Sequence, residues 1–214
     1  MAKIIKINFS QPQDSQIHLK EIAEVLNAGG VIGFPTDTFY GLGVDPFNAG
    51  AVKEIFNIKN RPADKPLLVL ISSLKQLRTL VRDISPTAKQ LIDAFWPGPL
   101  TILFPSASHL PENITAGPGK IGVRLPSNEF TRRLIESLGH PLTAPSANFS
   151  GEKNPTIAAE VARTFTSKIS LVVDGGETLG GKESTIVDAT VSPPTLIREG
   201  AISKERIDEI LECP

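Results

Sequence analysis

The apolar positions of this chain come in short blocks whose period switches repeatedly between two and about 3.6 residues. Ile4, Ile5 and Ile7 predict a first strand. Leu19, Ile22, Ala23 and Leu26 then recur at helical spacing between Ile17 and Asn27, and Gly29-Gly30 ends that helix. Val31, Ile32 and Phe34 form a short buried strand that Pro35 closes, because proline cannot donate to a ladder. Val52, Ile55 and Phe56 share one face of a helix over Ala51 to Lys59, and Leu67 to Ile71 is the next strand. Ser85-Pro86 starts a helix that runs to Phe95 and stops at Trp96-Pro97-Gly98-Pro99. Two strands, Leu100 to Phe104 and Ile121 to Leu125, flank a long loop from Pro105 to Lys120. A helix over Phe130 to Leu138 ends at Gly139, and the short run Pro141 to Ala144 leads into a polar loop reaching Pro155, with a helix starting near Thr156. Strands at Ile169 to Val173, Thr185 to Ala189 and Thr195 to Arg198 precede a last helix capped by Ser203 and running to Leu211. Strands and helices interleave without repeat or linker. The pattern predicts one α/β domain over residues 1–214, with a twisted mixed β-sheet flanked by helices.

Composition narrows the classes. The 214 residues are 40% hydrophobic and 21% charged with a net charge of −1, so no global field draws in nucleic acid or membrane. Any polyanion site must be a local cluster. The single cysteine, Cys213, excludes an internal disulfide framework and fits a reducing, cytoplasmic setting. The start MAKIIKINF lacks the apolar core of a signal peptide, and no run approaches the roughly 18 apolar residues of a membrane helix.

Polar chemistry concentrates in a few loops. The stretch Gly29 to Gly43, GGVIGFPTDTFYGLG, ends its strand in Thr36, Asp37, Thr38 and Tyr40, followed at once by Gly41 and Gly43. Such a loop can hold a small polar ligand; a decorated turn would carry the same residues. Lys59, Arg61 and Lys65 fall in a loop bracketed by Pro62 and Pro66, where proline preorganises the cations, although a solvated loop has that composition too. Arg124 sits among apolar neighbours in its strand and requires either an internal carboxylate or an anionic ligand.

Other machinery is argued against. Gly176 to Glu183 nearly matches GxxxxGK[ST], but Glu183 replaces the hydroxyl that would hold magnesium, and a strand follows where the motif needs a helix. His18, His109 and His140 are scattered without ligand-like spacing, which leaves zinc and a Ser-His-Asp triad unsupported. An enzyme built from these residues works by positioning and charge stabilisation.

Taken together, PTDTFYGLG, Lys59-x-Arg61-Pro62, Lys65-Pro66-Leu67, GVRLP, Pro145-Ser146-Ala147-Asn148, Glu183-Ser184-Thr185 and Leu196-Ile-Arg198-Glu-Gly200 resemble the threonylcarbamoyl-AMP synthase family. The motifs run in order from about Ile17 to Gly200, and the chain looks like the short, catalytic-domain form. The resemblance implies a concave, electropositive cavity and a reaction joining L-threonine, bicarbonate and ATP into threonylcarbamoyl-adenylate with release of pyrophosphate. It also implies tRNA threonylcarbamoyl transferase components as partners, for modification of adenosine beside the anticodon. Mg²⁺ is expected with ATP, and no organic cofactor.

By resemblance, Thr38 contacts threonine, and Arg61 and Lys65 contact ATP phosphates with Lys59 in support. Lys59 and Arg61 supply charge stabilisation, and no residue is assigned as a catalytic nucleophile. Arg124 takes the threonine carboxylate, for which a bidentate fork is suited. Ala144 shapes the threonine pocket through its backbone and Ser184 reaches threonine. Ser146 and Asn154 contact the nucleotide, with Asn148 nearby, and Arg198 also reaches it. Two positions depart from the family pattern: Leu70 stands where many members have histidine, and Lys120 where a small hydroxyl residue is common. The competing reading is a double-stranded RNA or tRNA-binding accessory factor without synthase activity. The net charge of −1, with one Tyr and one Trp, leaves little for a broad RNA surface and allows weak binding only.

Overall fold

The computed structural model describes residues 2–62, 66–115, 119–149 and 151–212. In chain order, β1 (Lys3–Lys6), α1 (Pro12–Asn27), β2 (Ile32–Phe34), β3 (Gly41–Gly43) and α2 (Ala49–Lys59) open the chain. Next come β4 (Leu68–Leu70), α3 (Leu74–Leu80), α4 (Pro86–Phe95), β5 (Leu100–Pro105), α5 (Glu112–Thr115) and β6 (Lys120–Arg124). The remainder is α6 (Glu129–Leu138), β7 (Leu142–Thr143), α7 (Ala158–Phe165), β8 (Leu171–Asp174), β9 (Thr185–Asp188), β10 (Thr195–Arg198) and α8 (Lys204–Glu212).

Helix ends follow local chemistry. The Asn48, Ser85 and Asn128 side chains accept the N–H of Ala51, Ala88 and Thr131, which satisfies one orphan donor at the start of α2, α4 and α6. Gly139 ends α6 at φ +77°, a conformation that costs glycine nothing.

The strands divide into two mixed sheets where the sequence pattern predicts one. The four-stranded sheet has the order β1-β8-β2-β3, and the six-stranded sheet the order β10-β9-β5-β6-β4-β7. Edge strands β3 and β7 stitch them together: Thr143 N–H donates to the Val44 carbonyl at 3.0 Å, and the Thr143 hydroxyl accepts from Val44 N–H and donates to the Leu42 carbonyl. β3 is absent from the expected elements because Gly41-Leu42-Gly43 carries no strand pattern. Gly43 is there for space, since a Cβ at this position would lie 2.9 Å from the Phe34 ring. The expected Pro105–Lys120 loop contains one turn of helix, α5, and α3 buries Leu77 and Leu80, whose three-residue spacing was the available sign of it.

Two apolar clusters cover the sheet faces. Ile22 and Leu26 of α1 and Leu134 and Ile135 of α6 pack with Ile5, Phe34 and Leu70. Helices α2, α3, α4 and α7 pack with Tyr40, Phe104 and Val123. Each fully buried aliphatic or aromatic side chain is worth about 1.5–3 kcal/mol, so the sheet that carries the site is held rigid from behind. Among the described residues no helix is long and apolar enough to cross a membrane.

Candidate functional site

The six-stranded sheet leaves one face open, and strand alternation decides which side chains look into it. Thr101 and Leu103 of β5, Gly122 and Arg124 of β6, and Ser184 and Ile186 at the start of β9 are alternate positions, and all line a cavity of about 520 Å³. The β2–β3 connection closes another wall with Thr36, Thr38 and Phe39. Arg61 and Pro66 flank the opening, and Ala144, Pro145 and Ser146 follow β7 into it. Gly122 makes the floor deep, since a Cβ there would crowd Leu103 at 3.2 Å. Among the described lining residues the charged groups are three guanidinium side chains, of Arg61, Arg124 and Arg198, and one carboxylate, of Glu183.

Seven of the predicted residues therefore meet in one space: Thr38, Arg61, Arg124, Ala144, Ser146, Ser184 and Arg198. Lys59, Asn148 and Asn154 stand behind its walls instead. Lys65 lies outside the described residues. Thr36, Thr101 and Glu183 line the cavity without having been assigned a role from sequence. Thr36 was visible as a polar handle of its loop, whereas Thr101 is one hydroxyl inside an apolar strand and carried no signal.

Arg124 is 2% exposed, which settles that it needs a partner. Asp37 provides one, with its Oδ1 2.9 Å from Nη2 but out of line for a hydrogen bond, so the pair is held by charge. Asp37 Oδ2 accepts from the Ser127 N–H at 3.1 Å, which ties the loop after β2 to the one before α6. Arg124 also donates to the Thr36 hydroxyl at 3.4 Å, and its Nε is buried without a hydrogen-bond partner. The alternatives of internal ion pair and ligand contact are thus both open to one side chain: Nη2 is committed to Asp37 while the guanidinium lines the cavity. Burial pushes this guanidinium below its ordinary pKa, Asp37 opposing and Arg198 adding to the effect. It stays charged, because arginine is not deprotonated in proteins.

Lys59 ends α2 and is 3% exposed. Its ammonium donates to the carbonyls of Ser146 and Asn148 and approaches Asn148 Oδ1 at 3.4 Å. Asn148 Oδ1 accepts the Ser146 hydroxyl at 2.6 Å, and its amide donates to the Glu152 carbonyl. Lys59 and Asn148 therefore hold the Ser146 loop from behind. Burial, with the nearby Arg61 charge adding to it, lowers the Lys59 pKa to about 8, and Glu183 works in the opposite direction.

Ser184 and Thr101 share a hydroxyl hydrogen bond at 3.0 Å across β5 and β9. Arg198 places Nε and Nη2 on the Ser184 carbonyl at 3.1 and 2.8 Å, and Nη1 pairs with Glu183. Asn154 Nδ2 donates to the other Glu183 oxygen at 3.0 Å, and its Oδ1 is buried without a partner. The two positions that depart from the family pattern do not line the cavity. Leu70 is fully buried in the core, and Lys120 forms an ion pair with Asp188 at 2.7 Å.

The family model for Sua5, YciO and YrdC, described as telomere recombination, matches residues 24–200. The threonylcarbamoyl-AMP synthase of Pyrococcus abyssi is 44% identical over 189 residues, covering 88% of this chain and 56% of that protein. That of Bacillus subtilis is 40% identical over 194 residues, covering 90% and 56%. The crystal structure of P. abyssi Sua5 complexed with L-threonine matches with a TM-score of 0.89 at 39% identity, over 99% of this chain and 61% of that one. The chain thus spans a little over half the length of these synthase relatives. It belongs to the Sua5/YciO/YrdC family.

Proposed function

We propose that this chain is an L-threonylcarbamoyladenylate synthase, a nucleotidyltransferase that condenses L-threonine, bicarbonate and ATP into threonylcarbamoyl-AMP and pyrophosphate. The observation that carries the reading is the convergence of three guanidinium groups and the hydroxyls of Thr36, Thr38, Thr101, Ser146 and Ser184 on one cavity. Threonine amine and bicarbonate give a carbamate with loss of water, and a carbamate oxygen attacks the α-phosphate as the bond to pyrophosphate breaks. No protein nucleophile is required. The protein must bring two anions together and stabilise the leaving pyrophosphate.

In this reading Arg124 offers the unpartnered edge of its guanidinium to the threonine carboxylate, while Asp37 holds it in place. Thr38, Ser184 and the Ala144 backbone surround the rest of the amino acid. Arg61 and Lys65 meet the phosphates, Ser146, Asn154 and Arg198 the remainder of the nucleotide, and Lys59 and Asn148 hold the Ser146 loop. Mg²⁺ is expected with ATP, where it would supply neutralisation of triphosphate charge; among the described residues no group of three His, Cys, Asp or Glu is placed to hold a metal. The product would pass to cytoplasmic tRNA threonylcarbamoyl transferase components, with only weak contact to tRNA itself.

The test is pyrophosphate release from ATP, with and without L-threonine and bicarbonate. Release should require both. Serine should support it less well, by roughly 10- to 200-fold, because one methyl contact is lost. Full release without threonine would overturn the assignment. Tight, salt-sensitive tRNA binding without ATP consumption would favour the accessory-factor reading.

A further inference from the structure

Glu183 is a carboxylate on the wall of a cavity whose other charged groups, among the described lining residues, are guanidinium cations, and the functional reading gives it no role. It is half-exposed and lies outside any regular element, just before β9. One oxygen pairs with Arg198 Nη1 and the other accepts from Asn154 Nδ2 at 3.0 Å. A nucleotide entering this space meets a carboxylate already engaged with two of the groups assigned to it, Arg198 on the wall and Asn154 behind it.

We propose that Glu183 is an internal competitor for the nucleotide: its carboxylate occupies Arg198 and Asn154 in the free protein and must swing away when ATP binds. The inference rests on the reading of those two residues as nucleotide contacts. The alternative is that Glu183 braces Arg198, and the geometry argues against a brace. Arg198 is already oriented without it, because Nε and Nη2 both sit on the Ser184 carbonyl and only Nη1 faces the carboxylate. The Glu183 backbone is fixed independently, its carbonyl accepting the Ala201 N–H at 2.8 Å with Gly200 packed so close that a Cβ there would clash at 2.2 Å. The side chain can therefore turn on an anchored backbone and leave the guanidinium standing in place. Asn154 is left with an unpartnered Oδ1 while its Nδ2 is held by Glu183, as expected of an amide waiting for another partner.

An exchange of this kind lowers apparent affinity by whatever the resident pair is worth, and keeps the cations from recruiting other anions. The decisive variant is Glu183→Gln, which retains the length of the side chain and an acceptor for Asn154 but removes the charge. Calorimetric titration should show ATP binding tightened by roughly two- to fivefold, the scale of a half-exposed ion pair. L-threonine binding should not move. The melting temperature of the free protein should fall slightly while the ATP-induced rise in melting temperature grows.

Unchanged or weaker ATP binding in Glu183→Gln would overturn the proposal, and weaker binding would identify a brace. Glu183→Asp, whose shorter stem cannot span both partners, should give an intermediate tightening and keeps the test available if the glutamine variant folds poorly. Inorganic pyrophosphate is the second probe. If neither protein binds ATP but the variant binds pyrophosphate more tightly, the synthase reading fails while Glu183 still competes with an anion for Arg198. If pyrophosphate binding is also unaffected by the substitution, both fail.

Discussion

Arg124 and Lys59 are both cations withdrawn from water, at 2% and 3% exposure, but their surroundings differ in kind. Arg124 faces the Asp37 carboxylate, so the charge is balanced by an opposite charge that is itself held by Ser127. Among the described residues, the hydrogen-bond partners of Lys59 are the carbonyls of Ser146 and Asn148 and the Asn148 amide oxygen, which are dipoles. A buried ion pair is expensive to break, because removal of one partner leaves the other charge uncompensated. A buried ammonium among dipoles can instead shed its proton, and Lys59 is poised to do so near pH 8. The Arg124 region is therefore fixed over the working pH range, and the Lys59 region is adjustable.

The largest effect should come from Arg124→Ala, which strands Asp37. Loss of a buried partner costs about 3–5 kcal/mol, to be read by urea unfolding, and threonine binding should fail with it. A variant that keeps its threonine KM while that for ATP rises would mean the allocation of Arg124 is mistaken.

Arg61 is the partly exposed cation of the same cavity and serves as the contrast to both. Arg61→Ala should lower kcat/KM for ATP by roughly ten- to a hundredfold through loss of a charge-assisted contact, with stability changed by about 0.5 kcal/mol or less. Arg61→Lys keeps the charge without the planar fork and should fall between the two. Wild-type ATP kinetics in Arg61→Ala would show that this loop is only solvated surface.

Lys59→Met removes a charge whose direct hydrogen-bond partners among the described residues are dipoles, so the loss should be smaller than at Arg124, about 1–3 kcal/mol from the carbonyls left without donors. The KM for ATP should rise while that for threonine stays, because it is the Ser146 loop that loosens. A stability loss as large as that of Arg124→Ala would break the distinction drawn between the two sites.

The smallest effect is in the pH profile. Between pH about 8 and the ordinary lysine value of 10.5, the unfolded chain holds the Lys59 proton and the folded chain does not, so the contribution of this group to stability rises with pH across that window. Activity should move the other way. As the ammonium becomes an amine, the KM for ATP should rise by roughly two- to tenfold with an apparent pKa near 8, since neutral hydrogen bonds are about half as strong as charge-assisted ones. In Lys59→Arg that limb should vanish. If it persists there, the titrating group is elsewhere.

Much of this protein was readable from local pattern. Caps such as Ser85, the Gly139 stop and the period of the apolar residues predicted most helices and strands, because those signals act within one or two turns of chain. The polar loops at 36–40, 59–66 and 145–155 and the lone Arg124 marked where chemistry would concentrate, since hydroxyls and cations among apolar runs need a reason to be there. Pattern could not reveal β3, a Gly-Leu-Gly segment whose Gly43 lies against the Phe34 ring, where a side chain would not fit. Nor could it divide the strands between two sheets or show that β3 and β7 join those sheets across about 100 residues of sequence. Sequence left Arg124 between an internal partner and a ligand. Folding placed Asp37 against one part of its guanidinium and the cavity beside it. Lys59, grouped by sequence with the loop cations, is carried by α2 to the back of the Ser146 loop, and Glu183 is brought onto Arg198 and Asn154. The side-chain pairings of Arg124, Lys59 and Glu183 join residues 15 to 89 positions apart. Only packing of the sheets and helices brings such distant groups within range of one another, and at that range burial and charge decide what each of them does.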